Sequence, residues 1–255
     1  MEGGPTLSDS LLAVRIEHRV GALALNVQFE VTQPWTVLFG PSGSGKTTVM
    51  RAISGFVHPA RGRITRGSAV LMDREAGVFV PAHARPVRSA GQTARLFPNL
   101  AVRWNLLYGN GWDAKPDETR GLGEEVLTLF RLNGLADQMP RELSGGESQR
   151  VSVARAVVAA ATFRGPGPAL LLLDEPFSGL DLRLRDELLL ELHAWLARRK
   201  IPVLSVTHDV GEAFQLEAEI IKIAGGRVVA QGPVGEVLAE ERQRLMEQLR
   251  GYFLS

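Results

Sequence analysis

The stretch PWTVLFGPSGSGKTT, residues 34–48, decides the fold. PWTVLFG is rich in β-branched and aromatic residues, which predicts a strand, and the glycines behind it predict a loop that gives way to a helix at Lys46. Residues 40–47, GPSGSGKT, satisfy the pattern G-x-x-x-x-G-K-[ST] in the strand, loop, helix setting that the chemistry requires. Gly43 and Gly45 let backbone N–H groups turn toward an anion, and the helix start adds the positive end of its dipole. Gly40, Pro41, Ser42, Gly43, Ser44, Gly45, Lys46, Thr47 and Thr48 are therefore the candidate contacts to a nucleotide's phosphates. Lys46 is expected to reach the β- and γ-phosphates. Thr47 offers a hydroxyl to Mg²⁺, a hard cation that takes oxygen ligands and the phosphates of its own nucleotide. A glycine-rich solvent turn would need no Lys-Thr after its last glycine.

Outward from this loop, LALNVQFEV on the N-terminal side alternates apolar and polar residues and predicts a strand. The helix from Lys46 should stop near Gly55, with Pro59 just beyond. GRITRGSAVLM predicts a short β region. From Gln92 to about Thr162 the periodicity turns helical, as in EEVLTLFRLNGL and the run Ser144 to Ala161. Strand signals return at PALLLLDEP, IPVLSVTHD and AEIIKIAGGRVVAQG, with the amphipathic RLRDELLLELHAWLARR between the first two. Strands alternating with helices predict an α/β fold with a mostly parallel sheet. The tail, EVLAEERQRLMEQLRGYF, reads as a last helix whose apolar face is expected to pack on the core rather than on a partner.

The 255 residues, 45% of them hydrophobic, can bury a sizeable core. With 29 basic and 28 acidic residues there is no global positive field to recruit nucleic acid or an anionic membrane. The absence of cysteine excludes disulfides and thiolate metal sites and fits a reducing compartment. MEGGPTLSDS is polar and acidic where a secretory signal is basic and then apolar, so a cytosolic start is expected. Arg155 interrupts the longest apolar run, VSVARAVVAAATF, well short of the ~20 residues that span a bilayer. Any pore would belong to another polypeptide.

The four leucines of LLLLDEP predict a strand buried on both faces, so Asp174 and Glu175 emerge at its carboxyl end, where open α/β sheets bind ligands. Asp174 is expected to hold Mg²⁺ and Glu175 to act as the general base toward water. An acidic pair at a strand end is more often a helix cap, but the phosphate loop reverses those odds. Gln92, at the start of the helical region, is the candidate sensor of Mg²⁺ and the attacking water. His208, at the end of IPVLSVTHD, is the candidate γ-phosphate donor. In LSGGESQRVSVARA, Ser144 and Glu147 form an S-x-x-E capping box. A well-capped helix explains those two but not Gly145 and Gly146, which weaken a first turn unless a ligand or another backbone comes close.

With GPSGSGKTT, Gln92, LSGGESQR, LLLLDEP, SGLD and VTHD in that order, the chain resembles the ABC (ATP-binding cassette) ATPase family from end to end. The resemblance implies a P-loop NTPase core over about residues 1–91 and 163–232, with an N-terminal antiparallel β region. It also implies an inserted helical lobe over about 92–162 and a C-terminal helix over about 234–253. It implies hydrolysis of Mg-ATP in a head-to-tail homodimer, each ATP held between the phosphate loop of one subunit and Ser144, Gly145 and Gly146 of the other. Asp181 of SGLD would couple the two sites. A domain without fused membrane spans looks like an importer subunit: peripheral, on the cytoplasmic face of the membrane, working with permease subunits and indirectly with a periplasmic or extracellular binding protein. TARLFPNLAVRWNLLYG and HRVGALALNVQFEV resemble the ATPase of molybdate or tungstate uptake systems, while sulfate, iron and sugar importers share the LFP-x-L-x-V frame.

Three departures bear on these expectations. Where the family stacks an aromatic on adenine, EHRVGA offers His18, Arg19 and Val20, of which Val20 best matches the position. Gly91 replaces the aromatic before the lobe glutamine, which leaves that loop looser. The sequence ends after its last helix, where molybdate importers often carry an anion-binding regulatory domain, so regulation by intracellular oxyanion is not expected. A phosphate-loop kinase would leave LSGGESQR and His208 without a purpose. A nucleic-acid ATPase of repair or translation would bring a coiled-coil insertion or a second cassette, and neither is present.

Overall fold

The computed structural model describes residues 10–108 and 116–253; the N-terminal stretch read as a cytosolic start lies almost wholly outside the described residues. In chain order the elements are β1 (Leu12–Val20), β2 (Leu23–Val31), β3 (Trp35–Phe39), α1 (Lys46–Ile53), β4 (Arg61–Arg66), β5 (Ala69–Asp73) and β6 (Val78–Phe79). They continue with β7 (Val87–Ala90), α2 (Val102–Leu107), α3 (Pro116–Leu129), α4 (Gly145–Ala161), β8 (Leu170–Asp174), α5 (Leu182–Arg198) and β9 (Val203–Thr207). The last are α6 (Val210–Gln215), β10 (Glu219–Ala224), β11 (Arg227–Pro233), α7 (Val234–Val237) and α8 (Ala239–Phe253). Contacts divide the described residues into two units. One takes in those up to Val49, Pro59–Phe79 and those from Thr207 onward; the other takes in Met50–His58 and Val80–Val206.

In the first unit an antiparallel sheet runs in the order β2-β1-β4-β5-β6. β1 and β2 pair from Leu12↔Val31 to Val20↔Leu23, leaving a two-residue turn with Gly21 at φ 57°. Leu25, Val27, Phe29 and Val31 turn inward, as the alternation predicts. β10 lies parallel to β3 and antiparallel to β11, and all five residues of β3 are buried. Helix α8 is held near its start by Lys222 Nζ to Glu241 Oε1 at 2.6 Å and by Arg242 over the Phe214 ring at 5.4 Å. Farther along, Leu245 and Met246 are exposed, so that part of the apolar face does not pack on the core.

In the second unit β7, β8 and β9 are parallel, with Val87↔Leu170 and Leu171↔Val203 in register. Every residue of β8 and β9 is buried, as continuous apolar runs predict. Helix α4 packs on α2, α3, β7 and β8, and its small residues (Ala154, Ala156, Ala159, Ala160) permit that many neighbours. On α5, Leu188, Leu189, Leu192, Trp195 and Leu196 form the buried stripe. Trp195 Nε1 donates to Glu125 Oε1 at 2.8 Å. The mostly parallel α/β arrangement with an N-terminal antiparallel sheet matches the sequence reading.

Candidate functional site

The candidate residues fall into two sets, one in each unit. In the first unit β3 ends at Phe39 and delivers the chain to Gly40, where φ is 152° and an added Cβ would lie 2.0 Å from the Ile223 carbonyl oxygen. Only glycine fits against the backbone of β10 there. Lys46 is 7% exposed and its ammonium donates to the carbonyls of Gly40 at 2.7 Å and Pro41 at 2.9 Å, folding the side chain back along the loop. The Ser44 hydroxyl is buried with no hydrogen-bond partner among the described residues. An orphaned buried hydroxyl costs about 1–3 kcal/mol. Beside it, Gly43 has φ 77° and open space where a Cβ would stand. A loop with an unpaired hydroxyl, a held ammonium, an exposed Thr47 and a helix start fits a polyphosphate, so these residues suit ATP.

His208 follows β9 directly and is exposed. The backbone on either side of it is pinned. Thr207 Oγ1 donates to Glu212 Oε2 at 2.8 Å and accepts from the Asp209 N–H at 3.1 Å, and Asp209 caps α6 by accepting from the Glu212 N–H. Val20 ends β1 and is 44% exposed.

In the second unit Asp174 closes β8 and is 6% exposed. Glu175 adopts φ 49°, a left-handed conformation that costs a non-glycine residue about 1–2 kcal/mol. Its N–H donates to the Val206 carbonyl at 3.1 Å, and its own carbonyl accepts from the Ser178 hydroxyl at 3.1 Å. Gln92 Nε2 donates to Glu175 Oε2 at 3.0 Å, so the structure brings together two residues far apart in sequence. Asp181 caps α5 by accepting from the Leu184 N–H at 3.0 Å.

At the start of α4 the capping box is present. Ser144 Oγ accepts from the Glu147 N–H at 3.3 Å, and Glu147 Oε2 accepts from the Ser144 N–H and hydroxyl, each at 2.7 Å. These bonds from Ser144 hold the Glu147 carboxyl below its ordinary range. The two glycines differ. A Cβ on Gly145 meets nothing within 4 Å, whereas one on Gly146 would lie 2.8 Å from Leu180 Cδ2. Gly146 therefore has a close neighbour within its own subunit, Leu180 of the SGLD turn, and Gly145 has none.

Three residues outside the sequence-based set hold this machinery. Arg85, fully buried, donates through Nη1 to Ala52 O at 2.8 Å and Ile53 O at 2.7 Å, and through Nε to Val80 O at 2.7 Å. It satisfies carbonyls that the end of α1 leaves open, and its burial pushes the guanidinium pKa down. On α4, Gln149 Nε2 donates to Gly91 O at 3.0 Å and Arg155 donates to Arg95 O at 2.6 Å. Gln149 shares the buried stripe of Val153 and Ala156, and a polar side chain on such a stripe is the signal that could have found it.

Among the described residues no three His, Cys, Asp or Glu side chains gather as a metal cage. Thr47 and Asp174 are oxygen donors of the kind Mg²⁺ takes alongside nucleotide phosphates. No helix of the described residues is long and apolar enough to cross a membrane.

A family model described as ABC transporter matches residues 25–178. The molybdenum import ATP-binding protein ModC of Mesorhizobium japonicum is 39% identical over 240 residues, covering 91% of this chain and 63% of that protein. Its namesake in Rhodospirillum rubrum is 38% identical over 230 residues, covering 90% of this chain and 60% of that protein. The chain thus spans about three fifths of the length of the curated relatives it matches. Among solved structures, cbiO1 from Clostridium perfringens, part of the ABC transporter complex cbiONQ, aligns with TM-score 0.75 at 24% identity, covering 95% of this chain and 96% of that one. The dimeric, post-hydrolysis ATP-binding cassette MJ0796 bound to ADP and Pi aligns with TM-score 0.71 at 24% identity, covering 88% of this chain and 98% of that one. At that identity the two structures carry the fold.

Proposed function

The chain belongs to the ABC transporter family, and on that premise we propose that it is the ATP-hydrolysing subunit of an importer that takes up an oxyanion, molybdate. The names of the relatives support the substrate, since this chain's own residues never touch the transported ion. Two copies would close head-to-tail on ATP at the cytoplasmic face of the membrane, against permease subunits fed by an extracytoplasmic binding protein. The helical lobe of about residues 92–162 would present Ser144, Gly145 and Gly146 to the partner's nucleotide.

The phosphate loop with Lys46 would bind the nucleotide, Thr47 and Asp174 would hold the Mg²⁺ that comes with it, and His208 would donate to the γ-phosphate. Mg²⁺, when bound, neutralises phosphate charge. Glu175 takes the proton from the attacking water, and Asp181 couples the two sites of the dimer. The observation that carries hydrolysis, beyond binding, is the Gln92 Nε2 to Glu175 Oε2 hydrogen bond at 3.0 Å, which aims the carboxylate of a residue held at φ 49°. Strain of that kind persists where the surroundings over-determine it. The test is Glu175→Gln, which should bind ATP as before and hydrolyse it about 10²–10⁴-fold more slowly. Near-normal turnover in that variant removes Glu175 from the role of base.

A further inference from the structure

The segment from Gly91 to Phe97 has no regular secondary structure, yet it carries Gln92, whose amide aims Glu175. One helix grips it at two places. Gln149, 5% exposed on α4, donates to the carbonyl of Gly91, the residue next to Gln92. Six residues along the same helix, Arg155 donates to the carbonyl of Arg95, with its guanidinium 5.3 Å from the centre of the Phe97 ring. The α4 that makes these bonds is the helix whose N-terminus carries Ser144, Gly145 and Gly146.

We propose that Gln149 is a positioning residue for hydrolysis: it transmits the placement of α4 to Gln92 and through it to the Glu175 carboxylate. The proposal rests on the reading of Glu175 as the base. Gly91 has no side chain to anchor its loop, and a Cβ there would meet nothing within 4 Å, so on this side of Gln92 the Gln149 amide supplies the anchor. Gly91 is also exposed, so water replaces the amide as donor to its carbonyl if Gln149 is lost. Removing the bond therefore releases the loop without orphaning a buried group. A residue with this geometry affects the aim of Gln92 more than the stability of the fold.

The test uses the full chain with Gln149→Met, which keeps the buried volume and removes the donor. The midpoint of thermal unfolding is expected to stay close to that of the parent, KM for ATP to stay within about 2-fold, and kcat to fall about 10-fold to 100-fold, the scale of a misplaced catalytic group. In a Gln92→Ala background the same substitution should lower kcat no further, because the path from Gln149 to Glu175 is already cut. A kcat for Gln149→Met within about 2-fold of the parent overturns the proposal, as does an equal fold-loss in both backgrounds, which marks a merely structural effect. Glu175→Gln, run in parallel, separates the two failures. Full activity there sinks the base reading, whereas an inactive Glu175→Gln beside a fully active Gln149→Met sinks only the role of Gln149.

Discussion

Leu180 Cδ2 occupies the space beside Gly146, 2.8 Å from where a Cβ on that glycine would stand, while the space beside Gly145 is empty. Two adjacent glycines in one helix turn are thus held for different reasons. Replacing Gly145 by alanine should stabilise the chain by about 0.5–1 kcal/mol, because alanine restricts the unfolded chain and favours the helix. Gly146→Ala should give no such gain, since Leu180 must shift to admit the methyl group. Denaturant unfolding of the two variants checks this. Equal stabilisation of both would show that the Leu180 contact constrains nothing, and adding Leu180→Ala to Gly146→Ala should restore the gain.

The buried Arg85 guanidinium predicts an effect on stability. Its guanidinium bonds Ala52, Ile53 and Val80 carbonyls, and Gly55 is required beside it because a Cβ there would lie 2.8 Å from Arg85 Nε. Arg85→Met fills much of the volume but orphans buried carbonyls, which should remove about 3 kcal/mol of stability. For a chain of this size the unfolding midpoint should fall by about 6–12 °C. A loss below about 1 kcal/mol would mean that the carbonyls find other donors.

If Val20, an exposed aliphatic side chain, stands where an aromatic would stack on the base, base selectivity should be weak. Stacking of a base on an aromatic is worth about 1–3 kcal/mol. Without it, ATP and GTP should be hydrolysed with comparable efficiency, and Val20→Tyr should tighten nucleotide binding by about 5-fold to 100-fold. A preference for ATP on the order of a hundredfold in the parent chain would reveal a polar contact to adenine.

The parts of the site that were legible in the sequence are those where local spacing does the chemistry. The phosphate loop, the buried strand ending at Asp174 and the Ser144–Glu147 box each need only consecutive residues and one periodicity. Helix α1 stops before Gly55 as expected, though the pattern said nothing of the guanidinium packed against that glycine. Strand β1 is readable in the alternation of Leu12, Val14 and Ile16 with Arg15 and Glu17. Strand β7 was not readable, because its four residues, VRSA, lack any apolar alternation and owe their strand to pairing with β8. The Gln149 to Gly91 and Arg85 to Ile53 bonds join segments 58 and 32 residues apart. A polar residue on the apolar stripe of α4 marks Gln149 as needing a partner, but nothing local in the sequence says which distant carbonyl that partner is.

The sandwich of ATP between two copies is tested best at Gly145, since Gly146 is constrained within its own chain. Gly145→Asp sets a carboxylate at the N-terminal turn of α4, where an internal clash is absent and a helix dipole even favours negative charge in the isolated subunit. The variant should therefore fold and bind ATP through its intact phosphate loop. If Gly145 closes on the partner's γ-phosphate, the added carboxylate meets an anion there, so ATP-dependent dimerisation and hydrolysis should both collapse. Lys46→Ala should fail differently, by losing nucleotide binding, because it removes the ammonium from the loop. Mixing the two variants then makes a heterodimer in which one composite site joins an intact phosphate loop to an intact Ser144–Gly145–Gly146 turn. That single site should restore dimerisation in ATP, followed by light scattering, and part of the turnover. Gly145→Asp protein that dimerises and hydrolyses ATP like the parent would rule out closure of this turn on a partner's nucleotide. A mixture that dimerises without turnover would instead mean that both sites must be whole before either one fires.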